Sequence, residues 1–376
     1  MELDFVKQSF SEIFGSRNYN CLSCPGRINI IGEHTDYNHG LVMPAAVNKY
    51  LHFCYNRSQS NQFQFYAINI NELASEGDKE GPAWLTFFRY VLDECRERNF
   101  SIIPLNIGFG GNLPIGAGMS SSSAITCGFI ACLNKANLWN MSASEMVNLA
   151  FKAENRTGLG GGIMDQFSII RGKAGHLMQI NCKDLSHEFI PIHLEEETFL
   201  LINSKVSHTL VDSAYTERKN DCLDILKGVQ TLYPKIKTVS EITAKMLLGF
   251  KIDQTKLKRV HHVISENQRV LDVSYALKHN KIKEIGPLLS QSHQSLKNQY
   301  EISCEEIDFI LREAESIDGF LGGRIMGGGF GGCCICLIKK DQQASIEKLL
   351  FDSYAKNYNL ELAFYPVEIV SGVFES

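Results

Sequence analysis

Four segments of this chain concentrate side chains suited to handling hydroxyls and phosphates. The first reads Cys24-Pro25-Gly26-Arg27-Ile28-Asn29-Ile30-Ile31-Gly32-Glu33-His34-Thr35-Asp36-Tyr37-Asn38. Carboxylates accept from hydroxyls and arginine donates, so Arg27, Glu33, His34 and Asp36 have the mixture a sugar requires. Charge content alone favours a plainer reading, a solvated turn with a surface arginine–aspartate pair. The second segment, Leu113-Pro114-Ile115-Gly116-Ala117-Gly118-Met119-Ser120-Ser121-Ser122-Ser123-Ala124, stands between an apolar strand pattern and a helix pattern. Glycines let a backbone approach a phosphate, and a helix start offers free N–H groups and a positive dipole end. A serine hydroxyl there suits Mg²⁺, although no Gly-Lys-Ser/Thr follows, so this is not a Walker loop. The alternative is a tight turn with a serine cap. In the third segment, residues 322–332, seven of eleven residues are glycine. Such a density costs chain entropy and implies a geometric demand, whether a ligand or two closely packed backbones. The fourth contains Glu154 at a helix end and Asp165 after a glycine run. Asp165 is placed to accept a hydroxyl proton, or simply to serve as a turn or cap residue.

Periodicity predicts the elements that must hold these residues. A short helix is expected over 5–14, strands over 50–56 and 62–67, a helix over 84–98 and a strand over 102–110. Helices follow over 122–136, begun by serine, and 142–155. Strands near 175–181 and 198–204 open the second half. Helices over 210–230, 254–279, 281–299 and 304–316 come next. A strand–glycine loop–strand over 320–338, a helix over 341–357 and a strand over 363–370 complete the chain. The class is α+β, with mixed sheets and helices in each half. A length of 376 residues exceeds most single cores, and two domains are expected, 1–172 and 173–376.

Bulk properties exclude several functions. The net charge of −5 provides no electrostatic footprint for nucleic acid or an anionic membrane. No apolar run approaches the ~18 residues of a membrane span. The N-terminus lacks a basic region followed by an apolar one, so no signal peptide is read and a cytoplasmic location is expected. The twelve cysteines are scattered, often in apolar runs, and read as buried free thiols, Cys54 among them. Cys21 and Cys24 form a C-x-x-C without a second pair at zinc spacing. Cys333, Cys334 and Cys336 read as core.

Taken together and in order, the four segments resemble the galactokinases, within the GHMP family of small-molecule kinases that also holds homoserine and mevalonate kinases. Gly26-Arg27-x-Asn29-x-Ile31-Gly32-Glu33-His34-Thr35-Asp36-Tyr37-Asn38-x-Gly40 is similar to the galactokinase signature itself. The likeness runs from Pro25 to Cys333, with no usable motif over 225–300. It implies a two-domain GHMP kinase-like fold with the active site in the cleft between domains, ATP and Mg²⁺ as cofactors, and galactose as the phosphoryl acceptor. It implies Asp165 as the catalytic base and Arg27 as its neighbour, stabilising charge on the transferring group. Ser122 and Glu154 match metal ligands. Glu33, His34, Asp36, Gly162 and Tyr215 match sugar-contacting positions. Gly116, Gly118, Ser120, Ser121 and Ser122 would line the triphosphate, with Gly328 and Gly329 in the closing loop. Trp84 and Phe87 stand where adenine neighbours occur, or are core. Three departures stand out: Gly160-Gly161 in a shortened Glu154–Asp165 stretch, Met326 in place of a threonine, and a fourth consecutive serine at Ser123. A different hexose such as N-acetylgalactosamine, and a non-catalytic sugar- and ATP-binding regulator, are the alternatives. The expected partner is a small sugar, with no nucleic acid or membrane; the oligomeric state is left open and is compatible with a monomer.

Overall fold

The computed structural model describes residues 2–158, 161–207, 211–248 and 253–375. The chain forms two compact units, one of Met1–Arg27, Ala46–Ala174 and Ile369–Ser376, the other of Ile28–Ala45 and Gly175–Glu368. Where the sequence suggests one crossing near 172, the chain thus passes between units at both ends of the signature segment and again at its C-terminus. Strand pairing accounts for both excursions. Leu41–Val42 pairs with His176–Asn181, so the signature segment is tied to the second unit. Phe374–Glu375 covers an edge of the first unit's sheet, with Glu375 opposite Leu22.

In the first unit a six-stranded sheet runs Phe374–Glu375, Asn20–Asn29, Pro44–Arg57, Leu105–Gly111, Gln64–Ala67, Glu72–Ser75. Phe374–Glu375 with Asn20–Asn29, Pro44–Arg57 with Leu105–Gly111, and Gln64–Ala67 with Glu72–Ser75 pair antiparallel, and Gln64–Ala67 with Leu105–Gly111 parallel. Helix Leu3–Phe14 contributes Val6 and Phe10 to a buried cluster with Tyr66 and Ile68. Helix Ser121–Ala136 lies so close to Pro44–Arg57 that a Cβ on Gly128 would come 2.2 Å from the Phe53 ring. Glycine is required there by the helix–strand approach.

The second unit contains a four-stranded antiparallel sheet ordered Phe320–Met326, Gly331–Lys339, Glu197–Ser207, Ala363–Val367. Helices Val211–Leu232, Gln254–Lys278, Ile285–Ser295, Glu305–Glu315 and Gln343–Tyr358 accompany it. Its core joins Leu200 and Ile202 to Ile310, Cys334, Cys336 and Ile346. Gly322 shows one use of the glycine-rich segment: a Cβ there would lie 2.0 Å from the Gly286 carbonyl oxygen.

The expected helices and strands all appear, with shifted ends. Several elements were not anticipated: the edge strands Leu41–Val42, Glu72–Ser75, His187–Pro191 and Phe374–Glu375, and two that bear on the site. Asn20–Asn29 is a strand, buried at nearly every position, so it lacks the in–out alternation that marks half-buried strands. Met164–Arg171 is a helix of only 8 residues, short for a 3.6-residue period to register. The helix expected over 281–299 is Ile285–Ser295, preceded by a 3₁₀ turn and followed by a π-turn at Leu296–Tyr300.

Cys54 is not a free thiol, as the sequence suggested, but is bonded to Cys21, because two neighbouring strands bring their Cα atoms to 4.3 Å. The other ten cysteines are free, and Cys333, Cys334 and Cys336 are core as expected. Among the described residues, no helix is long and apolar enough to cross a membrane.

Candidate active site

The centre of the first unit is an ion pair between residues 138 positions apart. Arg27, at the end of a buried strand, directs Nε at Asp165 Oδ1 (2.7 Å) and Nη2 at Oδ2 (2.9 Å). Its Nη1 donates to the Gly118 carbonyl. The surface turn suggested by charge content is therefore replaced by a buried guanidinium with a bidentate partner, the geometry in which arginine binds carboxylate most strongly. Asp165 occupies the first turn of Met164–Arg171. The Ser120 hydroxyl donates to its Oδ2 at 2.5 Å. Three donors thus hold Asp165 in one rotamer. A carboxylate has about four lone-pair sites, so Oδ1 retains acceptor capacity, and its side chain is 26 % exposed.

The glycine–serine loop leads into helix Ser121–Ala136. Gly116 and Gly118 have φ of 72° and 67°, left-handed values that glycine adopts without strain. Ser120 is the N-cap, also left-handed at φ 56°, and makes no side-chain cap to the helix. This reverses the expectation of a serine cap, since its hydroxyl is engaged by Asp165. The first-turn N–H groups consequently keep their donors for an anion.

Glu154, in helix Ala143–Asn155, is packed beneath this loop. Ser123 Oγ donates to its Oε2 at 2.9 Å and Gln166 Nε2 at 2.5 Å. Its Oε1 is buried and has no hydrogen-bond partner. Burial, then the charge of Asp165, pushes the carboxyl up to about 7. Sequence marked Ser123 only as a fourth consecutive serine and gave Gln166 no role; tertiary contact with Glu154 supplies both roles. Of the shortened Glu154–Asp165 stretch, Gly160 lies outside the described residues. Gly162 is half-buried just before the Asp165 helix. Trp84, the N-cap of helix Leu85–Glu97, is packed edge-on against Phe109 and Phe88, its Nε1 bonded to Glu72, and half-buried Phe87 is in that helix.

In the second unit the signature segment is buried rather than solvated. Glu33 and His34 are each 4 % exposed. The wholly buried Arg324 donates to Glu33 Oε2 at 2.5 Å, and also to the carbonyls of Asn29, Ile30 and Ile325. Sequence placed Arg324 in the glycine-rich segment without a role; a pairing across 291 residues leaves no local signal. His34, at φ 60°, shares a 2.6 Å hydrogen bond between its Nδ1 and the Tyr37 hydroxyl, which meets the Tyr300 hydroxyl at 2.9 Å. His34 Nε2 is buried and makes no hydrogen bond of ordinary geometry, although the Gly327 backbone lies near the ring. Burial, then neighbouring His262, lowers its pKa to about 3, so the ring is neutral and offers one hydrogen-bond position to a ligand. Tyr215, from helix Val211–Leu232, packs against His34 and Tyr37 with ring centres 5.6 and 4.7 Å away. Asp36 is half-buried in the turn that follows. Between strands Phe320–Met326 and Gly331–Lys339, Gly327 and Gly329 have φ of 94° and 90°, and Gly328 is exposed.

Residues 8–57 match the family model of the galactokinase galactose-binding signature, 86–173 that of the GHMP kinases N terminal domain, and 273–352 that of the GHMP kinases C terminal. The chain is 38 % identical over 354 residues to the galactokinase of Thermotoga maritima, covering 94 % of this chain and 99 % of the relative. It is 32 % identical to that of Clostridium tetani, covering 100 % and 98 %. Its structure is similar to the crystal structure of Lactococcus lactis galactokinase complexed with galactose, with a TM-score of 0.92 and 27 % identity over the whole of both chains. Methanococcus jannaschii mevalonate kinase shares the fold alone, at a TM-score of 0.65 and 16 % identity over 94 % of this chain and 99 % of that one.

Proposed function

The chain belongs to the galactokinase family of the GHMP kinases, and on that premise we propose that it transfers the γ-phosphoryl group of ATP to the anomeric hydroxyl of galactose. The observation that carries this reading is Asp165, fixed by Arg27 and Ser120 beside an uncapped helix N-terminus. Asp165 orients the sugar hydroxyl through the free acceptor site on Oδ1 and takes its proton. The sugar oxygen bonds to the γ-phosphorus while the bond to the ADP oxygen breaks. Arg27 and the N–H groups of the helix beginning at Ser121 stabilise the charge on the transferring group. Gly116, Gly118, Ser120, Ser121 and Ser122 lie along the triphosphate, with Gly328 and Gly329 in the second glycine loop.

Glu33, His34, Asp36, Gly162 and Tyr215 hold the sugar. The neutral His34 ring supports this, because its Nε2, which makes no hydrogen bond of ordinary geometry, matches a hydroxyl. For Mg²⁺, Glu154 and Ser122 are the oxygen donors. Ser123 and Gln166 already occupy Glu154 Oε2, while its buried Oε1 lacks a partner, which suits a hard cation. When bound, Mg²⁺ would neutralise charge on the nucleotide phosphates.

ADP release measured over a panel of monosaccharides, with Mg²⁺ and with excess chelator, tests the reading. Metal-dependent turnover is expected with galactose and much weaker turnover with N-acetylgalactosamine. Equal turnover on other hexoses, or none on any sugar, would overturn it.

A further inference from the structure

Helix Gln254–Lys278 lies in the stretch where the sequence offers no motif, yet it carries a charged residue with no exposure at all. Glu266 is 0 % exposed. Its Oε1 accepts from the backbone N–H of Gly32 at 2.9 Å and of Glu33 at 3.1 Å. The Ser292 hydroxyl donates to the same oxygen at 2.8 Å, while Oε2 takes Arg269 Nε at 2.7 Å. Burial alone would raise this carboxyl, but Arg269 first, with His262, Arg324 and Ser292, brings it down to about 2. Four residues away, His262 Nε2 lies 3.0 Å from the Glu33 carbonyl oxygen, and Nδ1 bonds with Ser295. One residue beyond Glu266, Asn267 Oδ1 accepts from Leu41 N–H at 2.7 Å.

The backbone these groups hold is not one that a chain adopts by itself. Gly32 has φ 91° and His34 φ 60°, so the segment turns through two left-handed residues around Glu33. A non-glycine left-handed residue persists only where its surroundings over-determine it. A buried carboxylate accepting two successive backbone N–H groups is such a determinant, because leaving those amides buried and unpaired costs each its desolvation. Burying an anion is itself expensive and needs full hydrogen bonding plus a counter-charge; Glu266 has both.

Resting on the galactose reading above, we propose that Glu266 is a positioning residue for sugar recognition: it anchors the Gly32–Glu33 backbone and thereby aims the Glu33 and His34 side chains. It touches no substrate. Its influence falls on sugar binding rather than on nucleotide binding or on the charge of Asp165.

The test compares the full-length protein with Glu266→Gln, which preserves shape and an acceptor, and Glu266→Met, which removes the acceptor. In the Met variant the amides of Gly32 and Glu33 should exchange with deuterium at least tenfold faster, and the galactose KM should rise about tenfold or more, the scale of losing hydrogen bonds to a charged group. The ATP KM should stay within about twofold. Glu266→Gln should fall between wild type and Met on both readouts, and it serves alone if the Met variant does not fold. A residue important only for stability would lower the active fraction and leave the galactose KM unchanged; that outcome, or unaltered exchange at Gly32 and Glu33 in a folded variant, overturns the proposal. Should the wild type ignore galactose, the proposed function fails, and the exchange measurement still decides the anchoring role.

Discussion

At the residue scale the decisive feature is how few degrees of freedom Asp165 retains. Arg27 and Ser120 occupy three of its acceptor positions, so one oxygen site faces outward in a fixed direction. Asp165→Asn removes the base and replaces an acceptor with a donor that opposes Arg27. ADP release should fall by about 10²–10⁴-fold, the usual worth of a positioned base, with galactose binding by calorimetry retained. Near-normal turnover would mean that Asp165 takes no proton. Arg27→Lys keeps the charge but loses the planar fork. Its kcat should drop about 10²-fold with the KM values changed far less; a loss confined to KM would assign Arg27 to binding. The signature was legible as a family motif, although its charge content alone favoured a solvated turn. Its burial was not, since Arg324 and Glu266 lie 291 and 234 residues from the groups they satisfy.

At the element scale, close backbone approaches hold the scaffold behind the site. Helix Ser121–Ala136 touches the sheet at Gly128, and helix Ile285–Ser295 touches strand Phe320–Met326 where Gly286 meets Gly322. The two contacts differ in what would have to yield. A methyl on Gly128 meets the Phe53 ring, which can move only within a packed core, and Gly128→Ala should cost about 1–3 kcal/mol in urea titration. A methyl on Gly322 meets a carbonyl at 2.0 Å from a left-handed φ of 151°, where neither partner can rotate away. Gly322→Ala should therefore be the more damaging. Equal midpoints for the two variants would mean that the backbone contact is slack. Glycine density announced a geometric demand in the sequence, but not its nature. The same segment satisfies two demands, close packing at Gly322 and a left-handed turn at Gly327 and Gly329.

At the scale of the whole molecule, buried neutral histidines make stability depend on pH. His34 and His262 are depressed to about 3 and about 4 by burial, against 6.5 in the unfolded chain. Folding therefore excludes protons that the unfolded state binds once pH drops below 6.5. The stabilisation is complete above that value and is lost as pH falls towards 4 and then 3. Each histidine should contribute a slope of up to about 1.4 kcal/mol per pH unit in that window. Glu154, raised to about 7, acts in the opposite direction over the same window, because its folded carboxyl keeps a proton that the unfolded one releases; the two histidines outweigh it. Urea midpoints from pH 7 to pH 4.5 should therefore fall, and His262→Asn should flatten the decline. A midpoint unchanged over that range, in wild type and His262→Asn alike, would mean that the rings take up protons in the folded state as readily as in the unfolded one.

Local pattern by itself determined the helices and strands with alternating or helical period, the glycine–serine turn that leads into a helix, and the family. Each is encoded within ten or twenty adjacent residues, where spacing and residue type suffice. Tertiary structure alone decided the bidentate geometry of the Arg27–Asp165 pair, which serine supports Glu154, and that Glu33 and His34 lie in the interior behind Arg324 and Glu266. Those outcomes depend on desolvation and on partners hundreds of residues apart, and a charged side chain has the same local sequence whether water or a buried counter-charge surrounds it.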